Sequence, residues 1–310
     1  MQVFVTGASG FIGSAVAQAF ARAGHEVVGL VRSPERAAAL HAAEVATIVG
    51  TLEQPAAWVD RARACAVVVH AAAEPSARSF DLDRDAVRAM LASARDAGAP
   101  RVFVYTSGVW VHGDTGGRRV DESTPPAPHP YVARRVEHER MVLEASRGAL
   151  RTIVVRPGCV YGGSGSLTAS WFKSATREGA ARIVGDGANR WSFVHRDDLA
   201  RLYLLAAESS AGGEVFHATD RSRSTVRECA EAAGRAAGLH PARVQSVPVA
   251  DAVKALGAWA ECLALDQHVD SSKAVRYLGW QPRHAGFVDE VDRCFLAWKA
   301  ASERDAAAAR

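Results

Sequence analysis

Residues Val3-Phe4-Val5-Thr6-Gly7-Ala8-Ser9-Gly10-Phe11-Ile12-Gly13 constrain this chain more than any other stretch: an apolar strand starts almost at the N-terminus, turns through glycines and opens a helix near Phe11. So sharp a bend needs positive φ at Gly7, close approach of the backbone to a pyrophosphate needs a missing Cβ at Gly10, and tight packing of helix on strand favours Gly13. The helix start then offers unpaired N–H groups to an anion. Glycine spacing alone would also suit an ordinary turn. The flanks decide: a strand precedes, an amphipathic helix follows with Val16, Ala19 and Phe20 toward the sheet, and the stretch reads as a dinucleotide-binding turn.

The rest of the chain repeats that unit. Apolar runs at 26–31, 46–49, 66–70, 101–107 and 151–155 alternate with helical stretches at about 11–23, 34–42, 55–63, 83–97 (ending at Gly98) and 131–147. Strands buried on both faces read as continuous apolar runs, so the alternation predicts an α/β fold with a doubly wound parallel sheet. The loop 113–130, rich in Gly, Asp, Thr and Pro, carries no regular element. Beyond Arg156-Pro157-Gly158 the rhythm changes. Helices are expected near 167–178, 197–208, 224–237, 251–263 and 285–302, strands near 191–194 and 214–217, and a short element at 271–277. The expected division is a dinucleotide-binding domain over 1–157, its sheet completed by about 191–218, and a small mixed C-terminal substrate lobe from 158–190 and 219–302. The alanine-rich, charged tail at 303–310 has nothing to pack against and is expected to fray.

Composition narrows the partners. At 310 residues and 48% hydrophobic content the chain can bury a large core. A formal charge of +3 with interspersed signs gives no basic stripe and no reason to expect nucleic acid. Cys65, Cys159, Cys229, Cys262 and Cys294 are scattered without a C-x-x-C pair, which argues against a metal site or a disulfide framework and fits a reducing cytoplasm. No apolar run approaches a membrane span, and the first residues leave no room for a cleaved leader before the strand.

Several further motifs, taken with the glycine turn, are similar to those of the extended short-chain dehydrogenase/reductases, also called NAD-dependent epimerase/dehydratases. They are His70-Ala71-Ala72-Ala73, Tyr105-Thr106-Ser107, Asp121-Glu122-Ser123-Thr124-Pro125 leading to Tyr131, Arg156-Pro157-Gly158-Cys159-Val160-Tyr161-Gly162, Phe193-Val194-His195-Arg196-Asp197-Asp198-Leu199-Ala200, and Ser272-Lys273-Ala274-Val275-Arg276-Tyr277-Leu278-Gly279-Trp280. The resemblance implies a Rossmann sheet with a nicotinamide cofactor across its C-terminal edge and a small-molecule substrate between the lobes. It implies cofactor contacts from Gly7, Ser9, Gly10, Phe11, Ile12, Gly13, Leu52, Ala71, Ala72, Ala73, Thr106, Arg135, Pro157, Gly158 and Val160. It also implies a homodimer through the helix bearing Tyr131 and its neighbour at 83–97.

The departures are as informative. The second strand ends Val31-Arg32-Ser33, with Arg36 one helical turn on, where an acid would hold the ribose 2′-hydroxyl of NAD. Guanidinium groups there suit a 2′-phosphate, so NADP is favoured over NAD. At Gly50-Thr51-Leu52 the family's acidic residue near the adenine is missing. The family's catalytic tyrosine is followed four residues later by a lysine; here Tyr131 is followed by Arg135 on the same helix face. Arginine stays cationic and can still hold a ribose and favour tyrosinate, but its planar fork does not occupy a lysine's place atom for atom. Gly108 stands where sugar epimerases of the family place a catalytic hydroxyl, which leaves Ser107 to serve. Cys159 replaces the asparagine usual in nucleotide-sugar enzymes. Trp110, His112 and Trp191 are further candidates for the substrate side, His112 as a substitute proton donor. Three readings follow: an NADP-dependent oxidoreductase acting on a carbonyl or the matching alcohol of a small or medium metabolite, an epimerase or dehydratase that uses the cofactor transiently, and a cofactor-sensing binding protein that no longer catalyses.

Overall fold

The structure, a computed structural model, describes residues 1–74, 76–95 and 99–308. Seven parallel strands form the central sheet: β1 (Gln2–Thr6), β2 (Glu26–Val31), β3 (Ala46–Val49), β4 (Val67–His70), β5 (Arg101–Thr106), β7 (Leu150–Pro157) and β11 (Glu214–Ala218). Their spatial order is β11-β7-β5-β4-β1-β2-β3. The order reverses beside β1, which pairs with β2 on one side and β4 on the other, and this switch point opens a crevice at the strands' carboxyl ends.

Alternate side chains along β1 serve two separate cores. Val3 and Val5 pack with Val16 and Phe20 of α1 (Phe11–Arg22) and with Leu199 and Tyr203 of α7 (Arg196–Glu208). Phe4 packs on the opposite face with Trp58, Met90 and Phe103, beneath α3 (Val59–Arg63), α4 (Ser79–Arg95) and α5 (Ala133–Glu144). Each fully buried side chain of this size contributes about 1.5–3 kcal/mol relative to exposure, so both helical layers are held by the same strands.

A third core, containing Trp171, Phe172, Phe193 and Phe287, belongs to the C-terminal part of the chain. It lies among α6 (Ala169–Glu178), β9 (Ala181–Val184), α8 (Val226–Ala236), β12 (Val244–Val247) and α11 (Val291–Ala308), with α9 (Val249–Leu256) between β12 and the 3-10 turn that carries Leu263. Three short parallel pairs lie outside the main sheet: β8 (Cys159–Tyr161) with β10 (Phe193–His195), β9 with β12, and β6 (Arg119–Val120) with β13 (His268–Val269). The remaining helices are α2 (Ala38–His41) and α10 (Ser272–Leu278).

Several expected elements change. The strand anticipated near 191–194 does not join the main sheet, because β11 takes the edge beside β7 with Glu214 opposite Ile153 while β10 pairs with β8. The helix expected over 251–263 breaks at Gly257, whose φ of +90° no helix accommodates, and resumes as a 3-10 turn over Ala258–Ala264. The helix expected over 34–42 begins as a 3-10 turn at Pro34–Arg36. Gly286, at φ +141°, delays the last helix to Val291, and that helix then runs through the alanines to Ala308 where fraying from 303 was expected. Alanine's high helix propensity accounts for the extension. The expected end of α4 at 96–98 lies outside the described residues.

Candidate active site

The nucleotide half of the crevice is made mainly of backbone. Gly7 has φ +66°, and a Cβ on it would sit 2.7 Å from the Ala72 Cα. A Cβ on Gly13 would be driven into the Gly7 carbonyl, so α1 rests directly on the turn. The Gly10 N–H closes the turn onto Gly7 O at 2.8 Å, and no side chain caps the start of α1. An uncapped helix N-terminus in a glycine cradle suits a pyrophosphate. The Thr6 hydroxyl accepts from the Ala71 and Ala72 N–H groups at 3.2 and 3.3 Å, tying β1 to the end of β4. A cavity of about 300 Å³ follows, bordered by Gly7, Ser9, Gly10, Phe11, Ile12, Arg32, Arg36, Leu52, Ala71, Ala72, Ala73 and Glu74. The residues present therefore fit a dinucleotide.

Glu74 escaped the sequence reading. It accepts from Arg32 Nη1 at 3.2 Å and borders both halves of the crevice. Its signal was only its place at the end of the His70-Ala71-Ala72-Ala73 run.

Phe11, Ile12, Ala73 and Glu74 also border a second cavity, of about 600 Å³, where Tyr131, Ser107 and Arg135 meet. Tyr131 lies in a 3-10 turn, Pro130–Val132, just before α5. His129 Nδ1 accepts the Tyr131 backbone N–H at 3.3 Å, and its Nε2 donates to Glu261 at 2.7 Å. The Tyr131 ring meets the edge of Phe80, with centroids 6.1 Å apart, and the Arg135 guanidinium lies 5.7 Å from the same ring. Arg135 Nη1 donates to the Thr106 carbonyl at 3.1 Å. Burial opposes its charge, but Tyr105, Asp83 and Glu139 outweigh that and raise its pKa.

Glu139, four residues beyond Arg135 on α5, is the main residue missed. It accepts from the Ser107 hydroxyl and forms a buried bidentate pair with Arg156, Nε to Oε1 at 2.9 Å and Nη2 to Oε2 at 2.6 Å. Ser107 thus spends its proton inward and presents lone pairs to the cavity. Tyr131, Arg135 and Glu139 are spaced four apart, so the helix period could have placed Glu139 on the same face. A second buried cluster supports Arg135 from below: Asp83 accepts from His70 Nε2 at 2.9 Å, from Tyr105 at 2.7 Å and from His138 Nδ1 at 2.5 Å. Although burial opposes it, these partners hold the Asp83 carboxyl well below the usual range.

Trp110, Trp191, Cys159, Pro157, Gly158 and Val160 border the 600 Å³ cavity, and burial pushes the Cys159 thiol up, leaving it neutral. Three expected contacts are corrected. His112 faces away from the cavity: it is buried, its Nε2 lies 3.0 Å from His217 Nε2, and burial with the Arg156 charge pushes its pKa down to about 4. The Asp270 carbonyl accepts from His217 Nδ1 at 3.0 Å, and Arg156 Nη1, which only donates, lies 3.3 Å from the same His112 Nε2, so the His112 ring is engaged by interior groups. His112 therefore has no proton to offer a substrate. Thr106 borders neither cavity, since its carbonyl holds Arg135 and its hydroxyl accepts from Tyr203 at 2.7 Å. Gly13 borders neither, and acts through packing.

Comparisons with known proteins give the family and the fold. The sequence pattern described as "NAD dependent epimerase/dehydratase family" matches residues 3–218. A ketoreductase of Stigmatella aurantiaca, named for 4-hydroxy-2-methyl-3-oxo-4-farnesyl-3,4-dihydroquinoline-1-oxide, is 35% identical over 236 residues, covering 73% of this chain and 70% of its own. An uncharacterized protein of Schizosaccharomyces pombe is 30% identical over 296 residues, 94% of this chain and 98% of its own. The crystal structure of DesIV, a dTDP-glucose 4,6-dehydratase of Streptomyces venezuelae with NAD and TYD bound, superposes with a TM-score of 0.83 at 23% identity over 97% of each chain, and shares the fold. Among the described residues no helix is long and apolar enough to cross a membrane.

Proposed function

Because the chain belongs to the NAD dependent epimerase/dehydratase family, within the extended short-chain dehydrogenase/reductases, we propose that it is an NADP-dependent oxidoreductase reducing the carbonyl of a small or medium metabolite, or oxidising the matching alcohol. The observation that carries this reading is the convergence of Tyr131, Ser107 and Arg135 on one cavity continuous with the nucleotide crevice. A bound nicotinamide would supply or accept the hydride. Tyr131 gives the proton to the oxygen in reduction and takes it back in oxidation, and Arg135, beside it on the cavity wall, would hold the nicotinamide ribose. Ser107 orients the oxygen only once its hydroxyl turns from Glu139 to the cavity and donates to that oxygen, leaving the substrate proton to Tyr131. Arg32 and Arg36 at the 300 Å³ cavity support NADP over NAD. A ketoreductase among the relatives, together with Gly108 and Cys159 in place of the sugar-enzyme residues, supports reduction over epimerisation. On the same reading, 158–190 and 219–302 bind the substrate, and two copies pair through α4 and α5.

The test is consumption of NADPH against a panel of ketones and aldehydes. Tyr131→Phe should lower kcat roughly a hundredfold or more, with NADPH affinity within about twofold, because only the phenolic proton is lost. Tyr131 is 42% exposed, so its stability should change by no more than about 0.5 kcal/mol. Tight NADPH binding with no turnover would leave the sensing reading, and turnover with no net change in reduced cofactor the epimerase reading. Full activity in Tyr131→Phe would remove the tyrosine from the mechanism.

A further inference from the structure

The reacting cavity does not end at Trp191. Ser166, Leu167 and Trp191 are shared with a cavity of about 470 Å³ inside the C-terminal lobe, a volume in the range of small-molecule sites. Its wall is apolar, with Trp171, Ile183, Val226, Val247, Trp259 and Leu263 contributed by α6, β9, α8, β12 and the 3-10 turn after α9.

The inward polar groups of that wall, on Trp191, Ser170 and Ser174, are already paired. Trp191 Nε1 donates to Leu263 O at 3.0 Å, Ser170 Oγ to Leu167 O at 2.7 Å, and Ser174 Oγ donates to Ser170 O at 3.0 Å while accepting the Arg182 N–H at 3.0 Å. The two bordering cations, Lys173 and Arg182, are exposed, and Arg182 is paired with Glu178 at 3.2 Å. A polar ligand entering between the apolar walls would give up water and meet only the exposed Lys173 and the Arg182–Glu178 pair at the rim. A nucleoside diphosphate would need cations along the passage, and Ser166, Leu167 and Trp191 bring none. Exposed large apolar side chains also gather here: Leu167, 36% exposed, stands at the threshold and Leu256, 49% exposed, at the border formed by α9.

We propose that the substrate carries an extended apolar tail, alkyl or aryl, which passes Leu167 and Trp191 and fills this cavity while its carbonyl lies at Tyr131. The placement of the carbonyl rests on the reductase reading; the occupant of the second cavity does not. Burial of a methylene strengthens binding about fourfold, so a homologous series reads the cavity directly.

The experiment titrates the full chain, without cofactor, with methyl ketones from butanone to decanone, following the change in tryptophan fluorescence to which Trp171, Trp191 and Trp259 of the cavity wall contribute, and separately measures KM for the same series with NADPH. Kd and KM should both fall about three- to fourfold per methylene until the tail reaches the Leu256 border. Leu167→Asp places a charge at the threshold, and Ala255→Trp narrows the α9 border; both positions are exposed, so the fold should survive, as a thermal melt would check. Each should flatten the dependence on chain length by at least half. A flat series in the unmodified protein, or an unchanged slope in both variants, would overturn the proposal. If affinity rises with length while no ketone is reduced, the reductase reading fails and the tail site stands; if reduction proceeds with no dependence on length, the tail site fails alone.

Discussion

The two halves of the crevice are built on opposite plans. On the nucleotide side the working surface is the backbone of the β1–α1 turn, where Gly13 rests on the Gly7 carbonyl and Gly7 on Ala72 with no room for a methyl group. On the substrate side it is a set of side chains, Tyr131, Trp110, Trp191 and Leu167, with Tyr131 held by Phe80 and His129. A surface made of backbone holds one ligand class and tolerates no change. A surface made of side chains can be retuned one residue at a time, which is where this chain departs from the sugar-nucleotide pattern.

The hardest test of that contrast is Gly13→Ala. The added methyl would collide with a backbone carbonyl that cannot rotate away, so α1 must lift off the turn. NADPH binding should be lost at any practical concentration in a direct titration, with a stability loss of roughly 3 kcal/mol in denaturant unfolding. Retained cofactor affinity would show that the turn yields, and the contrast would fall.

The nucleotide side was also the more legible in sequence, for the same reason. Glycines forced by backbone contact are visible one at a time, and parallel strands buried on both faces, such as Val67–His70, read as unbroken apolar runs. The substrate side depends on pairings between distant segments, such as β9 with β12 and β8 with β10, whose three- or four-residue strands carry no periodic signal. Glu139 was hidden because an acid on a polar helix looks solvated until Arg156 is known to face it. His112 misled in the opposite way: it follows the active-site strand closely, but the 3-10 turn Val109–His112 points it into the interior beside His217.

That histidine pair gives the next prediction. Burial pushes the pKa of His112 down to about 4 and, with His112 and Arg156 adding to the effect, that of His217 to about 3, against an ordinary value of 6.5. A group whose folded pKa is depressed in this way binds its proton more readily in the unfolded chain. The unfolded state therefore takes up protons first, and stability is lost as pH falls below 6.5. By pH 4 the loss should be on the order of 3 kcal/mol for His112. Glu122 and Asp220, raised by burial, titrate in the opposite sense, so the informative quantity is the difference between unmodified protein and His112→Gln in urea unfolding at pH 7.5 and 4.5. Asp83, under Arg135, keeps its paired charge to far lower pH, so mild acid should act through the histidine pair before it reaches that cluster. An unmodified protein and variant with equal pH dependence would show that the pair does not govern acid stability.

The smallest expected effect lies where the two halves meet. Glu74 borders both and holds Arg32 at 3.2 Å, with the Arg32 side chain 49% exposed and the Glu74 side chain 20% exposed. An ion pair this open contributes about 0.2–1 kcal/mol, so releasing it costs the fold little. Under the NADP reading, however, the pair competes with the ligand, because the guanidinium must leave Glu74 to meet a 2′-phosphate while the carboxylate repels that phosphate. Glu74→Gln keeps the shape and a hydrogen-bond acceptor but removes the charge. It should tighten NADPH binding about two- to fivefold, the equivalent of that ion-pair energy, and leave NADH affinity unchanged. Arg32→Asp should move the preference the other way and by more, since it substitutes repulsion for attraction at the same place. Calorimetric titration of both cofactors into each variant separates the cases. If Glu74→Gln strengthens both cofactors equally, Glu74 acts on the shared pyrophosphate or ribose and Arg32 does not select; if it changes neither, the 2′-phosphate does not reach Arg32, and Arg36 becomes the residue to test.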